Sequence, residues 1–207
     1  MSNNDQKPAA TAPGGFHYAY VIVAVCIIIM GVPLALTLSC AGIYFVPIAE
    51  YFGVAKAQVS LYMTIMGATM IVALPISERI LKVVDFRYVL SVGTALLGIS
   101  FFILSRATDL TVFYVVAVVL GFAITPLMYL AIPTLINNWF AVRSGFFIGL
   151  CAAFTGIGGA IFNIVGTALI NSGPEGWRTG YLVFCVIILV FALPIIFVFT
   201  RDRKSVV

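Results

Sequence analysis

The sequence predicts an all-α integral membrane protein of six transmembrane helices, and three observations predict it. Apolar residues make up 63% of the 207 residues and charged residues 9%, against about 45–50% and about 25% in soluble domains. The charges are also gathered between long charge-free runs, at 8–49, 57–77, 88–105, 110–142, 144–174 and 179–200. Charge is expensive in hydrocarbon, and a helix needs about 20 residues to cross it. Finally, the runs do not alternate. Val21-Ile22-Val23-Ala24-Val25-Cys26-Ile27-Ile28-Ile29-Met30 is continuously apolar, whereas a membrane strand shows alternation over segments of about ten residues. Only helices and closed barrels satisfy the backbone in lipid, so helices remain.

The same arithmetic excludes a soluble globular fold, a disordered chain and a disulfide scaffold. A pI near 9.0 comes from 11 basic against 7 acidic residues without a basic patch, so no nucleic-acid partner is expected. The partners implied are the lipid bilayer and a small-molecule solute.

Taken in order, the spans are expected near 18–46, 57–77, 88–106, 111–137, 144–170 and 179–200. The long first run opens on polar residues (Thr11, Pro13, Gly14, Gly15), so residues 1–16 read as a disordered cytoplasmic tail. With Lys7 its only basic residue and an apolar run too long for a signal peptide, this end is not expected to be cleaved. The third run is the shortest, and its flanks must help it across. Residues 17–200 form the bundle, and 201–207 begin a cytoplasmic loop or tail.

Six spans put both ends on one side. That side holds Lys7, Arg79, Lys82, Arg87, Arg143, Arg201, Arg203 and Lys204, and the other holds Lys56, Arg106 and Arg178. The positive-inside rule then places both termini in the cytoplasm of a plasma-membrane protein. Aromatic belts are expected at Tyr18, Tyr20, Tyr88 and Trp139 on the inner side, and at Tyr51, Trp177 and Tyr181 on the outer.

No Asp, Glu, Lys, Arg or His lies within a span. Intramembrane proteolysis, haem redox chemistry and proton pumping all require such groups. No phosphate-binding glycine loop is present either. Neither an enzyme, nor a cofactor, nor a metal site is expected. Cys26, Cys40, Cys151 and Cys185 have no metal spacing and read as small core residues.

What the spans do contain is neutral. Pro33, Pro126, Pro133 and Pro194 interrupt them, as in helices that kink or build midplane sites. Thr37, Cys40 and Tyr44 share a face by spacing; so do Thr125 and Tyr129, and Thr155 and Asn163. Tyr62, Thr64 and Thr69 lie in the second span. Gly145, Gly149, Ala152, Gly156 and Gly159 recur at three and four along the fifth, a stripe that lets a helix pack closely either within this chain or against another. A faint repeat links Pro47…Tyr51-Phe52-Gly53-Val54-Ala55-Lys56 to Pro133…Trp139-Phe140-Ala141-Val142-Arg143 three spans later. That is the mark of a three-plus-three inverted repeat.

Several stretches carry a resemblance. They are Tyr44-Phe45-Val46-Pro47-Ile48-Ala49-Glu50-Tyr51-Phe52-Gly53-Val54, then Ser77-Glu78-Arg79-Ile80-Leu81-Lys82-Val83-Val84-Asp85-Phe86-Arg87-Tyr88, then Asn137-Asn138-Trp139-Phe140-Ala141-Val142-Arg143-Ser144-Gly145-Phe146-Phe147-Ile148-Gly149 with Thr155-Gly156-Ile157-Gly158-Gly159, and Gly176-Trp177-Arg178. Over residues 17–205 the chain resembles the amino-terminal six-helix half of a major facilitator superfamily transporter, nearest the oxalate/formate antiporter and monocarboxylate carrier branch. The resemblance implies one half of a twelve-helix fold that moves a small organic anion by alternating access. It implies a path along Thr37, Tyr44, Tyr62, Thr125, Tyr129, Thr155 and Asn163, and cytoplasmic gating loops carrying Lys82, Asp85, Arg87 and Arg143. It also implies a second six-helix half, in the same polypeptide or a partner chain, packed on the fifth helix at Gly145, Gly149, Gly156 and Gly159. Two other readings stay open: a stand-alone protein acting as a homodimer, and a truncated half without transport of its own.

Overall fold

The structure, a computed structural model, describes residues 15–140 and 143–199. Most of the expected tail 1–16 and all of 201–207 lie outside the described residues, as does the side chain of Trp139. Among the described residues six helices are long and apolar enough to cross a bilayer: α1 (Tyr20–Phe52), α2 (Lys56–Val83), α3 (Phe86–Ser105), α4 (Leu110–Asn137), α5 (Ser144–Ile170) and α6 (Gly176–Val198). No strand occurs among the described residues.

The helices coincide with the six expected spans, but α1 and α2 run further. Charge ends the hydrocarbon, not the helix. Glu50 therefore lies inside α1, and Glu78, Arg79 and Lys82 inside α2. What stops α1 is Gly53, whose φ of 64° turns the chain left-handed while its N–H bonds the carbonyls of Ala49 and Glu50. Glycine takes this conformation without penalty. At the start of α2 the Gln58 side chain accepts from the Ala55 N–H at 3.1 Å. Arg143 (φ 66°) turns the chain into α5.

α3 is the spine. It packs on both α4 and α6, and Leu90, Gly93, Thr94, Leu97, Gly98, Phe101 and Leu104 are buried along it. Gly93 faces Leu127 and the Ala123 carbonyl of α4, and Gly98 faces Ile188 and Leu189 of α6. Lipid is as apolar as leucine, so close van der Waals packing replaces the hydrophobic effect as the force joining helices. α1 lies parallel to α5 in one continuous register: Met30 meets Thr155, Gly31 meets Gly158, Ser39 meets Gly159 and Asn163, and Tyr44 meets Gly166. α2 packs chiefly on α4.

Three helices open into wide π-turns, at Met30–Ser39 in α1, Pro126–Ala131 in α4 and Ile187–Ala192 in α6. Each contains a proline or ends two residues before one (Pro33; Pro126 and Pro133; Pro194). A proline has no N–H to give, and its ring displaces the carbonyl four residues back. Widening the turn re-pairs the ladder with the next carbonyl. Two hydroxyls bond back to their own helices at these places: Thr37 Oγ1 donates to the Pro33 carbonyl at 2.7 Å within the π-turn of α1, and Thr125 Oγ1 to the Gly121 carbonyl at 2.6 Å just before that of α4. Pro75, by contrast, leaves α2 a regular α-helix.

The aromatic belt needs correcting. Tyr20, Tyr51 and Tyr88 are exposed as a belt requires, but Trp177 is 1% exposed and Tyr181 3%. Both turn inward, with Trp177 meeting the rings of Tyr51, Phe52, Phe113 and Tyr181.

Candidate functional site

The residues expected to line a path fall into two layers. Thr37, Tyr44, Tyr62 and Thr125 are buried in the bundle. The two threonine hydroxyls are spent on their own helices, as described above. Tyr44 stacks on Tyr181 with ring centroids 4.2 Å apart, and its hydroxyl wedges between Gly166 of α5 and Gly180 of α6 without a hydrogen-bond partner. Tyr62 meets Phe45 edge-on at 6.4 Å.

Tyr129, Thr155 and Asn163 reach the surface. Thr125 and Tyr129 were expected on one face, yet Thr125 is sealed and Tyr129 is 50% exposed. The π-turn begins between them, and a turn of more than 3.6 residues breaks the four-residue repeat. Thr155 and Asn163 do share a face, the one turned to α1. Thr155 Oγ1 donates to Met30 Sδ at 3.3 Å, and Asn163 Nδ2 donates to the Ser39 carbonyl at 3.5 Å. The Asn163 Oδ1 is enclosed and has no partner.

Ser39 was not among the expected residues. It lies where the helical bonding of α1 is interrupted: the Cys40 N–H reaches back five residues to Ala35 at 3.2 Å, and the α-helix restarts at Ala41. Periodicity treats α1 as one uniform helix, so it cannot locate this interruption. Proline alone gave a weak pointer to it.

The gating-loop residues are not joined by ion pairs among the described residues. Lys82 is exposed at the end of α2, and Asp85 starts α3 through its backbone, whose carbonyl accepts from the Tyr88 N–H at 3.0 Å. Arg87 lays its guanidinium over the Phe197 ring of α6 at 4.1 Å, a cation–π contact, and its Nε has no partner. Arg143 is exposed.

The small-residue stripe divides. A Cβ on Gly145, Gly149 or Gly156 would meet nothing within 4 Å, whereas one on Gly159 would strike Ser39. Gly158, against the Gly31 backbone, and Gly166, against Ile43, join Gly159 as the close approaches of α5 to α1. The four cysteines are buried, and no metal-binding group of side chains occurs among the described residues.

At the opposite end of the bundle a polar knot joins three elements. Arg178 Nη2 donates to the Ala107 carbonyl at 3.0 Å and to Tyr51 Oη at 3.3 Å, while Tyr51 Oη donates to Glu175 Oε1 at 3.2 Å. Trp177 packs beneath it, and the Arg178 guanidinium sits 5.0 Å from its ring. The Gly176-Trp177-Arg178 motif thus ties α6 to the end of α1 and to the turn between α3 and α4.

A comparison with curated proteins returns no match. A sequence model of the Major Facilitator Superfamily matches residues 27–207, which takes in all six helices but the first residues of α1. The chain belongs to the Major Facilitator Superfamily, whose members carry small solutes across membranes.

Proposed function

We propose that the chain forms one six-helix wall of a secondary carrier for a small organic anion, of the oxalate/formate or monocarboxylate type, working by alternating access in the plasma membrane with both termini cytoplasmic. The observation that carries this reading is the set of neutral polar groups at the surface of an apolar bundle: Tyr129, Thr155 and Asn163. Hydrocarbon offers such groups no partner, so they belong on a face covered by protein or water. Thr37, Tyr44, Tyr62 and Thr125 back them and shape the path. Lys82, Asp85, Arg87 and Arg143 serve as the cytoplasmic gate. The preference for an anion comes from the family branch that the sequence resembles. A second six-helix half, in the same polypeptide or a partner chain, supplies the other wall.

The test is exchange of radiolabelled oxalate and formate in liposomes carrying the native protein. Exchange that is saturable and lost with Asn163→Ala supports the reading; no exchange of either solute sinks it. A second reading, a homodimer of this chain, is favoured by the open line of Gly145, Gly149 and Gly156. It requires a crosslinked dimer that disappears with Gly149→Leu. If both tests are negative and the native protein runs near 22.3 kDa, the chain is a half without transport of its own.

A further inference from the structure

We infer that Ser39 and Asn163 together form a neutral subsite for one carboxylate group of the solute. The inference rests on the carrier reading above and goes further by naming the atoms and the chemical group. Three observations point to it.

The first is position. Ser39 ends the π-turn of α1, and its side chain lies directly over Gly159 of α5, where an added Cβ would come within 2.6 Å of Ser39 Cβ and 2.9 Å of its Oγ. Asn163 stands one turn further along α5 and bonds the Ser39 carbonyl. The two side chains are held side by side where α1 meets the open edge of α5.

The second is unspent hydrogen-bonding capacity. Thr37 and Thr125 give their hydroxyls to their own helices. The Ser39 hydroxyl has no hydrogen-bond partner among the described residues and is exposed. Asn163 Nδ2 carries two hydrogens and spends one on the Ser39 carbonyl. One N–H of Asn163 and the O–H of Ser39 are therefore left without a partner among the described residues, while the amide oxygen is enclosed. Two spare donors on neighbouring residues suit an acceptor with two oxygens. A carboxylate is that acceptor, and hydrogen bonds to a charged acceptor are the stronger kind.

The third is the charge around them. Glu50 and Glu78 lie in the last two turns of α1 and α2, and Asp85, Asp109 and Glu175 just before α3, α4 and α6, so among the described residues neither a carboxylate nor a cation stands at the middle of the bundle. Neutral donors hold an anion without trapping it, which a carrier must do to release its cargo.

Gly42 supplies the reporter for a test. It lies one turn above Ser39, is exposed, and an added Cβ meets nothing within 4 Å. Gly42→Cys is placed in the full chain in native-lipid nanodiscs and labelled with a membrane-impermeant maleimide, with the unsubstituted chain as background, its four cysteines being buried. The inference expects Gly42→Cys to label, oxalate to slow the labelling, and choline or glycerol at equal concentration to have no effect. With Asn163→Ala or Ser39→Ala added, the half-protecting oxalate concentration should rise about tenfold, as for one lost bond to a charged acceptor. Asn163→Asp, which keeps the shape and adds a negative charge, should abolish protection. Each variant must elute from gel filtration as the parent does. Labelling without oxalate protection, or protection indifferent to all three variants, overturns the subsite and leaves the path reading standing. Absence of labelling overturns the path reading itself and the subsite with it.

Discussion

Gly158 and Gly156 lie on the same helix two residues apart, yet one alanine at each should act oppositely. A Cβ at Gly158 would collide with the Gly31 carbonyl oxygen, come within 2.8 Å of its carbon and sit 3.0 Å from Ala35 Cβ. Carbon atoms in comfortable contact are about 3.5–4.0 Å apart. The obstacle is backbone, which cannot rotate aside, so α1 must back away from α5 along the seam that also holds Thr155 and Asn163. Overpacking costs about 1–3 kcal/mol, and rigid atoms on both sides put this case near the upper end. At about 2–3 kcal/mol, a chain of this size loses roughly 4–12 °C in its unfolding midpoint. A Cβ at Gly156 meets nothing within 4 Å, and alanine is the better helix former by up to about 1 kcal/mol. The assay is thermal unfolding in detergent, followed with a thiol-reactive dye. Cys26, Cys40, Cys151 and Cys185 are all buried, so the signal reports opening of the bundle itself. Gly158→Ala should melt early and Gly156→Ala at or above the parent. If Gly158→Ala melts within about 1 °C of the parent, or if both variants fall together, the close α1–α5 packing is wrong.

Tyr44→Phe should raise stability by about 1 kcal/mol or more, because it removes a buried hydroxyl that has no partner and an unpaired buried group costs about 1–3 kcal/mol; a fall in the melting midpoint would mean that the hydroxyl is bonded. Thr125→Val should cost about 0.6–1 kcal/mol by removing the hydroxyl's bond to the Gly121 carbonyl, and Thr125→Ser, which keeps the hydroxyl, should restore most of it in the same melt. Arg178→Gln should speed amide exchange at the turn between α3 and α4, where Ala107 loses its donor, without changing exchange at the centre of α5; uniform exchange across the chain would refute the local knot.

The number and order of helices were legible because the bilayer imposes a requirement that composition alone can meet or fail. Where helices stop was less so. α1 runs past Glu50 because Gly53 ends it, and a charge-based boundary cannot see a backbone conformation. Hydroxyls were legible as a class but not in their roles: Thr37 and Thr125 look like candidate path residues until the fold buries them and bonds their hydroxyls to carbonyls of their own helices. Trp177 and Tyr181 read as belt residues from their place in the chain, and the fold turned them inward under Arg178. The stripe on α5 was visible as a pattern of small residues, but only the packing of α1 separates Gly159, which is covered, from Gly145, Gly149 and Gly156, which are not.

By itself, then, the order of residues determined that this chain carries six apolar membrane-crossing segments of the Major Facilitator Superfamily, with charge kept to their ends, since hydrocarbon tests each segment one at a time and local composition decides the outcome. The tertiary structure alone decided which neutral groups are free. The pairing of Ser39 with Asn163, and the sealing of Thr125 away from Tyr129, depend on where α1 and α4 widen and which helix lies against them. Hydrogen bonds are made over about 3 Å, and no spacing along one helix reports which atom of another will arrive within that distance.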